Sequence, residues 1–268
     1  MQKIKNFRFF IVLAAVFSIA LISGCKPHQK ASPEKYHPQL MFEKGEIFTY
    51  RLNHIHRGEL VKDYSDPAEK DKTIPQNFDE NSKIKIFGLD DGSGKIKWVY
   101  ENYQEKSKSM LDDLSKPVIL NRQGVAGDMS RNSGSFFFTV MFSLPPHPVK
   151  KGEEWKQDFK NNEMGYKGSI QSAISGVKIS GDESFLEIES TFHFEDASQG
   201  GSYSFSGNRK ALYSINKQKF IDVELDYGIN MFLYFIDYVL SGKQKGRLNL
   251  VLDDASETGG NEGKKDQN

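Results

Sequence analysis

The chain has 268 residues, with 36 Lys+Arg balanced by 36 Asp+Glu, 37% hydrophobic residues and one cysteine. That balance offers no strongly basic face for nucleic acid, and a single thiol excludes an intrachain disulfide or a cysteine cluster for metal. The stretch from about residue 40 to 254 is long enough to bury a substantial core.

Residues 1–24 have the layout of a secretory signal peptide: Lys3, Lys5 and Arg8 without an acid, an apolar run Phe9–Ile22, then Ser23 and Gly24. A membrane-spanning helix needs roughly 20 apolar residues, and this run is shorter. The block Leu21-Ile22-Ser23-Gly24-Cys25 resembles a bacterial lipobox. The resemblance implies cleavage before Cys25 and acylation of its sulfur, which consumes the thiol as an anchor. Two or more acyl chains hold a protein stably on a membrane where one binds marginally. Lys26 is not the Asp that often marks inner-membrane retention, so the outer membrane is favoured in a host with two membranes. Residues 25–39, with Pro27, Pro33 and Pro38, read as a polar tether.

Period-two alternation then dominates. Ile96, Trp98 and Tyr100 share one strand face, as do Leu186, Ile188, Phe192 and Phe194. Ile221, Val223, Leu225 and Tyr227 form another such set, and so do Leu248, Leu250 and Leu252. Apolar-in, polar-out alternation marks antiparallel strands with one solvated face. Turn sequences separate them at Asp90–Gly94, Asn121–Gly124, Gly181-Asp182, Asn216-Lys217 and Gly242-Lys243. Ser65–Ser82 reads as a polar loop, Lys106–Leu114 as a short helix, and residues 255–268 as a disordered tail. The expected fold is all-β: an antiparallel, strongly curved sheet or open barrel with at most a short helix.

The domain reads as two possible repeat halves, 40–143 and 144–254. Lys44-Gly45-Glu46 matches Lys151-Gly152-Glu153, and Asn121-Arg122-Gln123 matches Asn216-Lys217-Gln218. The alternative is that hairpin proteins share such turns in any case. The run Leu144-Pro145-Pro146-His147-Pro148-Val149-Lys150-Lys151-Gly152-Glu153-Glu154-Trp155 is similar to a Pro-x-x-Pro-Val-Lys-x-Gly-x-x-Trp core of a family of uncharacterised bacterial lipoproteins. That resemblance implies a lipobox followed by alternating strands and carries over no catalytic residue. The layout bears a more distant, fold-level analogy to lipoprotein carriers of the Lol type.

No nucleophile elbow, zincin helix or phosphate loop is present. Asp90–Gly94 lacks the alternating oxygen ligands of a calcium loop and reads as a hairpin turn. His54 and His56 share a strand face, which can begin a metal site; with no third ligand nearby, a solvated strand end is the plainer reading. Glu153-Glu154 and Asp112-Asp113 read as surface charge, since strand neighbours point to opposite faces. Two runs fail to alternate: Phe136–Phe142 and Met231–Ile236. Read as strands, both need an apolar cover on each face, from the core or from a ligand or partner. Phe136, Phe138, Phe142, Phe232, Tyr234 and Phe235 are therefore the candidate ligand- or partner-binding residues.

The resulting expectation is a non-enzymatic, lipid-anchored, extracytoplasmic envelope protein that binds an apolar ligand or a partner protein. It touches the membrane through Cys25, has a lipid or envelope protein as its partner, and needs no cofactor and no metal. The alternatives are a structural interaction module without a ligand cavity and, with least support, a hydrolase of envelope polymers.

Overall fold

The computed structural model describes residues 34–65, 71–100, 117–127, 133–161, 166–196 and 200–253. The expected signal peptide, Cys25, the expected helix at 106–114, Asp112-Asp113 and the expected tail at 255–268 lie outside these residues. The compact unit starts at Tyr36, ahead of the residue-40 boundary read from sequence.

Its frame is one 11-stranded antiparallel sheet. From one edge to the other the order is β6 (Val118–Leu120), β5 (Gly94–Tyr100), β4 (Phe78–Gly88), β2 (Ile47–Tyr64), β13 (Tyr238–Asp253), β12 (Lys219–Tyr234), β11 (Gly201–Ser214), β10 (Glu183–Asp196), β9 (Tyr166–Ser180) and β8 (Glu154–Asn161). The short β3 (Lys72–Pro75) pairs with the far end of β2, and β1 (Lys35–Tyr36) and β7 (Val149–Lys150) make a separate two-stranded ladder. The sheet is an open one, ending at β6 and β8. The all-β, curved-sheet expectation holds.

Alternation sets the inner face as expected. Leu186, Ile188, Phe192 and Phe194 of β10, and Leu248 and Leu250 of β13, are buried while their neighbours face outward. One detail differs. A bulge opposite Leu212 and Tyr213 pushes Ile221 out of phase, and Phe220 takes the core position beside Val223, Leu225 and Tyr227. Ser65–Ser82 also departs from the loop expected there. β2 is 18 residues long, and its extended backbone offers partners that draw Lys72–Pro75 and the start of β4 into the sheet.

The largest correction concerns Phe136–Phe142. This run is not a strand; it lies in the single helix among the described residues, α1 (Ser133–Phe142). A short apolar run without period cannot be told from a buried helix by pattern alone. Packing explains the outcome. A strand here would need ladder partners for every N–H and C=O, whereas a helix satisfies its own. The helix packs on the inner face of the sheet: Phe142 meets Tyr50 and Phe220 at ring-centroid distances of 5.6 and 5.9 Å, and Phe136 meets Phe194 at 5.3 Å. Pro145 and Pro146 follow and stop it.

One end of the hollow is sealed by the chain entering β2. The Tyr213 hydroxyl accepts from the Gln39 N–H (3.1 Å) and donates to the Gln39 carbonyl (2.5 Å). Leu40 and Met41 then donate to the carbonyls of Arg122 and Gln218, within the two matching Asn-x-Gln turns. The two Lys-Gly-Glu turns share their geometry: Gly45 and Gly152 sit at φ of 75° and 78°, and each turn's glutamate accepts from the backbone N–H three residues earlier.

Candidate functional site

At the end of the sheet away from this seal, β2, β11, β12 and β13 run on past the helix. The register builds the surface row by row. On the face opposite the core, Val61, Ser241, Phe232 and Ser202 form one row across the strands. The next row holds Glu59, Lys243, Asn230, Ser204 and Glu195. These two rows line an open cleft of about 600 Å³, within the size range of small-molecule sites. Ser202, Ser204 and Ser241 line it beside Phe232, and Glu59, Lys243, Glu195 and Asp196 supply charge.

β12 and β13 meet beyond the cleft in a hairpin whose tip is apolar. Phe232 is 38% exposed, Tyr234 60%, Phe235 46% and Ile236 97%. Phe232 packs edge-on against Tyr234 (centroids 4.9 Å apart), and Phe235 stacks on Tyr238 at 4.5 Å. The six aromatic candidates thus divide. Phe138 and Phe142 are fully buried and Phe136 packs half-buried against the core; all three are helical core residues rather than an open strand face. Phe232, Tyr234 and Phe235 lie together at the exposed hairpin.

Behind the cleft, on the inner face, is a buried polar group that the sequence pattern hides. His54 and His56 are 7% and 2% exposed, so they are not a solvated strand end. Both reach the Tyr227 hydroxyl, from His54 Nε2 at 2.5 Å and from His56 Nδ1 at 2.8 Å. His56 Nε2 lies 3.1 Å from the Gln244 carbonyl oxygen. One proton arrangement satisfies all four groups. His56 Nε2–H donates to Gln244, Tyr227 O–H donates to His56 Nδ1, and His54 Nε2–H donates to the phenol oxygen. Both imidazoles are then neutral. Gly246 makes room for this: a Cβ there would stand 2.2 Å from Tyr227 Cζ, so only glycine lets the ring lie across β13. Among the described residues no three His, Cys, Asp or Glu side chains gather as a metal site. The one signal in the sequence was the paired histidines; their tyrosine and glutamine partners are more than 170 residues away.

Burial, with His56 as a second influence, pulls the His54 pKa from its ordinary 6.5 down to about 4; burial lowers that of His56 as well. The sign follows. As pH falls from 6.5 the unfolded chain takes up the proton before the folded chain does. Stability is therefore complete above pH 6.5 and is lost between pH 6.5 and 4, by about 3 kcal/mol for His54. The urea midpoint should fall over that window, and the fall should shrink in a His54→Phe variant. An undiminished fall in that variant would place the acid sensitivity elsewhere.

Among the described residues, the fold and site together define an open antiparallel β-sheet protein plugged by one helix, with an apolar hairpin and cleft at the end away from Gln39–Met41. No family model and no curated protein matches the chain. Among solved structures it is similar to a chain described under "lipid-protein interactions in lipovitellin", at 12% identity and a TM-score of 0.42. The match covers 83% of this chain and 26% of that one, so this chain spans about a quarter of the lipovitellin chain's length.

Proposed function

We propose that this is a lipid-anchored envelope protein that binds an apolar ligand or a partner and catalyses no reaction. The observation that carries the reading is the cluster of exposed side chains Phe232, Tyr234, Phe235 and Ile236 in one hairpin, of which Phe232 lines the cleft. Met41, Ile55, Ile119, Ile179, Tyr203 and Ile215 are exposed as well, but they are scattered along the sequence, whereas these four gather in one hairpin, and a clustered patch of this kind marks a contact surface. Phe232 and Val61 supply the apolar wall, and Ser202, Ser204, Ser241 and Asn230 supply hydrogen bonds to a polar end.

Native mass spectrometry of residues 26–268 tests the ligand. A co-purifying lipid-sized adduct is expected, and it should be lost in Phe232→Asp with the fold retained. A ligand-free protein that forms a defined complex with an envelope protein favours the interaction-module reading instead.

Anchoring rests on the lipobox resemblance and has its own test. Cys25→Ser should abolish acylation and move the protein out of the membrane fraction or leave its signal uncut. A Cys25→Ser chain that is cleaved and still membrane-bound would overturn the anchor.

A further inference from the structure

The β12–β13 hairpin tip has a graded chemistry that goes beyond ligand capture. Ile236 is its most exposed side chain, at 97%, with Tyr234 at 60% and Phe235 at 46% beside it. Three tyrosines flank the turn: Tyr234 on one face, Tyr238 and Tyr64 on the other, the last two with ring centroids 6.0 Å apart. The Lys62 ammonium lies over both of these rings, 4.5 Å from the Tyr64 centroid and 3.9 Å from that of Tyr238. The backbone is pinned rather than frayed. Tyr234 N–H donates to the Gly200 carbonyl, Phe235 N–H to that of Tyr238, and Ser65 N–H to that of Asp237, all at 2.8–2.9 Å. This is a convex, fixed tip with apolar groups on both faces, rather than a one-sided patch shaped for a flat partner.

We infer that this tip inserts into the outer layer of a lipid bilayer, with Ile236 and Phe235 among the acyl chains and the tyrosines at headgroup level. The order of groups is the one a bilayer selects. Aliphatic and phenyl side chains go deepest, tyrosine rings sit at the interface, and a lysine folds back toward water. Charge argues in the same direction. Among the described residues, the charged side chains near the apex include Lys62, Lys72, Asp63 and Asp237, of both signs, and form no one-signed patch for anionic lipid. Asp237, which shares the tip of the turn with Ile236, limits the depth, because a carboxylate stays in the headgroup region. The inference rests on reading this end as the apolar-binding end, and concerns the surface it meets rather than the ligand in the cleft.

The test uses residues 26–268, which hold the whole compact unit and lack the anchor, with phosphatidylcholine vesicles as the probe. Ile236→Trp should shift its emission to the blue on vesicle addition and be quenched by brominated acyl chains. Ile236→Asp should weaken vesicle partition by about tenfold or more, given the apolar area withdrawn from water. Asp237→Asn should strengthen it, and replacing part of the phosphatidylcholine with phosphatidylglycerol should change little. Circular dichroism checks that each variant keeps its strands. An Ile236→Trp emission that stays at its water position, or an Ile236→Asp variant that partitions like the parent, overturns the inference. A protein that carries a lipid adduct yet ignores vesicles would overturn insertion while leaving the ligand reading intact. Vesicle binding without an adduct would do the opposite.

Discussion

Replacing Arg209 with methionine should destabilise the fold by about 3–5 kcal/mol, a large part of the 5–15 kcal/mol typical of a domain. Arg209 is 1% exposed and lies inside the sheet. The two protons of its Nη1 are shared among four acceptors, the carbonyls of Val140, Met141 and Ser143 at 2.9–3.1 Å and Ser143 Oγ at 3.2 Å, while Nη2 donates to Ser190 Oγ at 2.8 Å. These carbonyls belong to the end of α1, where a helix has acceptors without internal donors and a partial negative charge. The guanidinium is thus the cap that ties the plug to β10 and β11. Burial pulls its pKa down to about 9, which still leaves it charged at neutral pH. Methionine fills the volume but leaves three buried carbonyls without their donor. Lysine keeps a charge but lacks the fork, and should recover only part of the loss. Urea titration of the three proteins measures this. A methionine variant with the parental midpoint would mean that the helix end finds other donors and that Arg209 is dispensable.

Arg209 also shows what could be read from sequence and what could not. Alternation places it on the strand face of Phe205, Ala211 and Tyr213, but the stretch is so rich in polar residues that the pattern is weak. Its meaning comes from Val140 and Met141, nearly 70 residues earlier. The strands were legible because inner and outer faces alternate along a single segment, as in β10 and β13. The bulge at Ile221 broke that phase by one residue and could not be seen without the partner strand. The helix was missed for a related reason. Seven consecutive residues from Phe136 to Phe142, apolar except for Thr139, carry no period, and only the hollow they fill decides between helix and strand. Of the candidate site, Phe232, Tyr234 and Phe235 could be named from their failure to alternate. The histidine–tyrosine–glutamine group could not, because its members meet only through register.

The same division gives the sharpest contrast between two substitutions of one type. Phe138→Asp should unfold the domain, whereas Phe232→Asp should leave it folded. Phe138 is 0% exposed, in a helix that lies against the inner face of the sheet. Burying a carboxylate there without a partner, and removing a ring, combines a charge-burial penalty with a cavity. The ring alone is worth about 3–5 kcal/mol, so the sum is comparable to the whole stability of a domain. Phe232 is 38% exposed at the hairpin, where an aspartate can turn to water. Its loss removes the edge-on contact with Tyr234 and part of the cleft wall, a cost of about 0.5–1.5 kcal/mol beyond area for an aromatic pair. Circular dichroism and urea midpoints of both variants separate the outcomes, and ligand or vesicle binding by Phe232→Asp then reads function without a folding defect. A folded Phe138→Asp protein would mean that the helix can leave the hollow, and an unfolded Phe232→Asp protein would mean that the hairpin is core. Either result would exchange the roles of plug and contact surface.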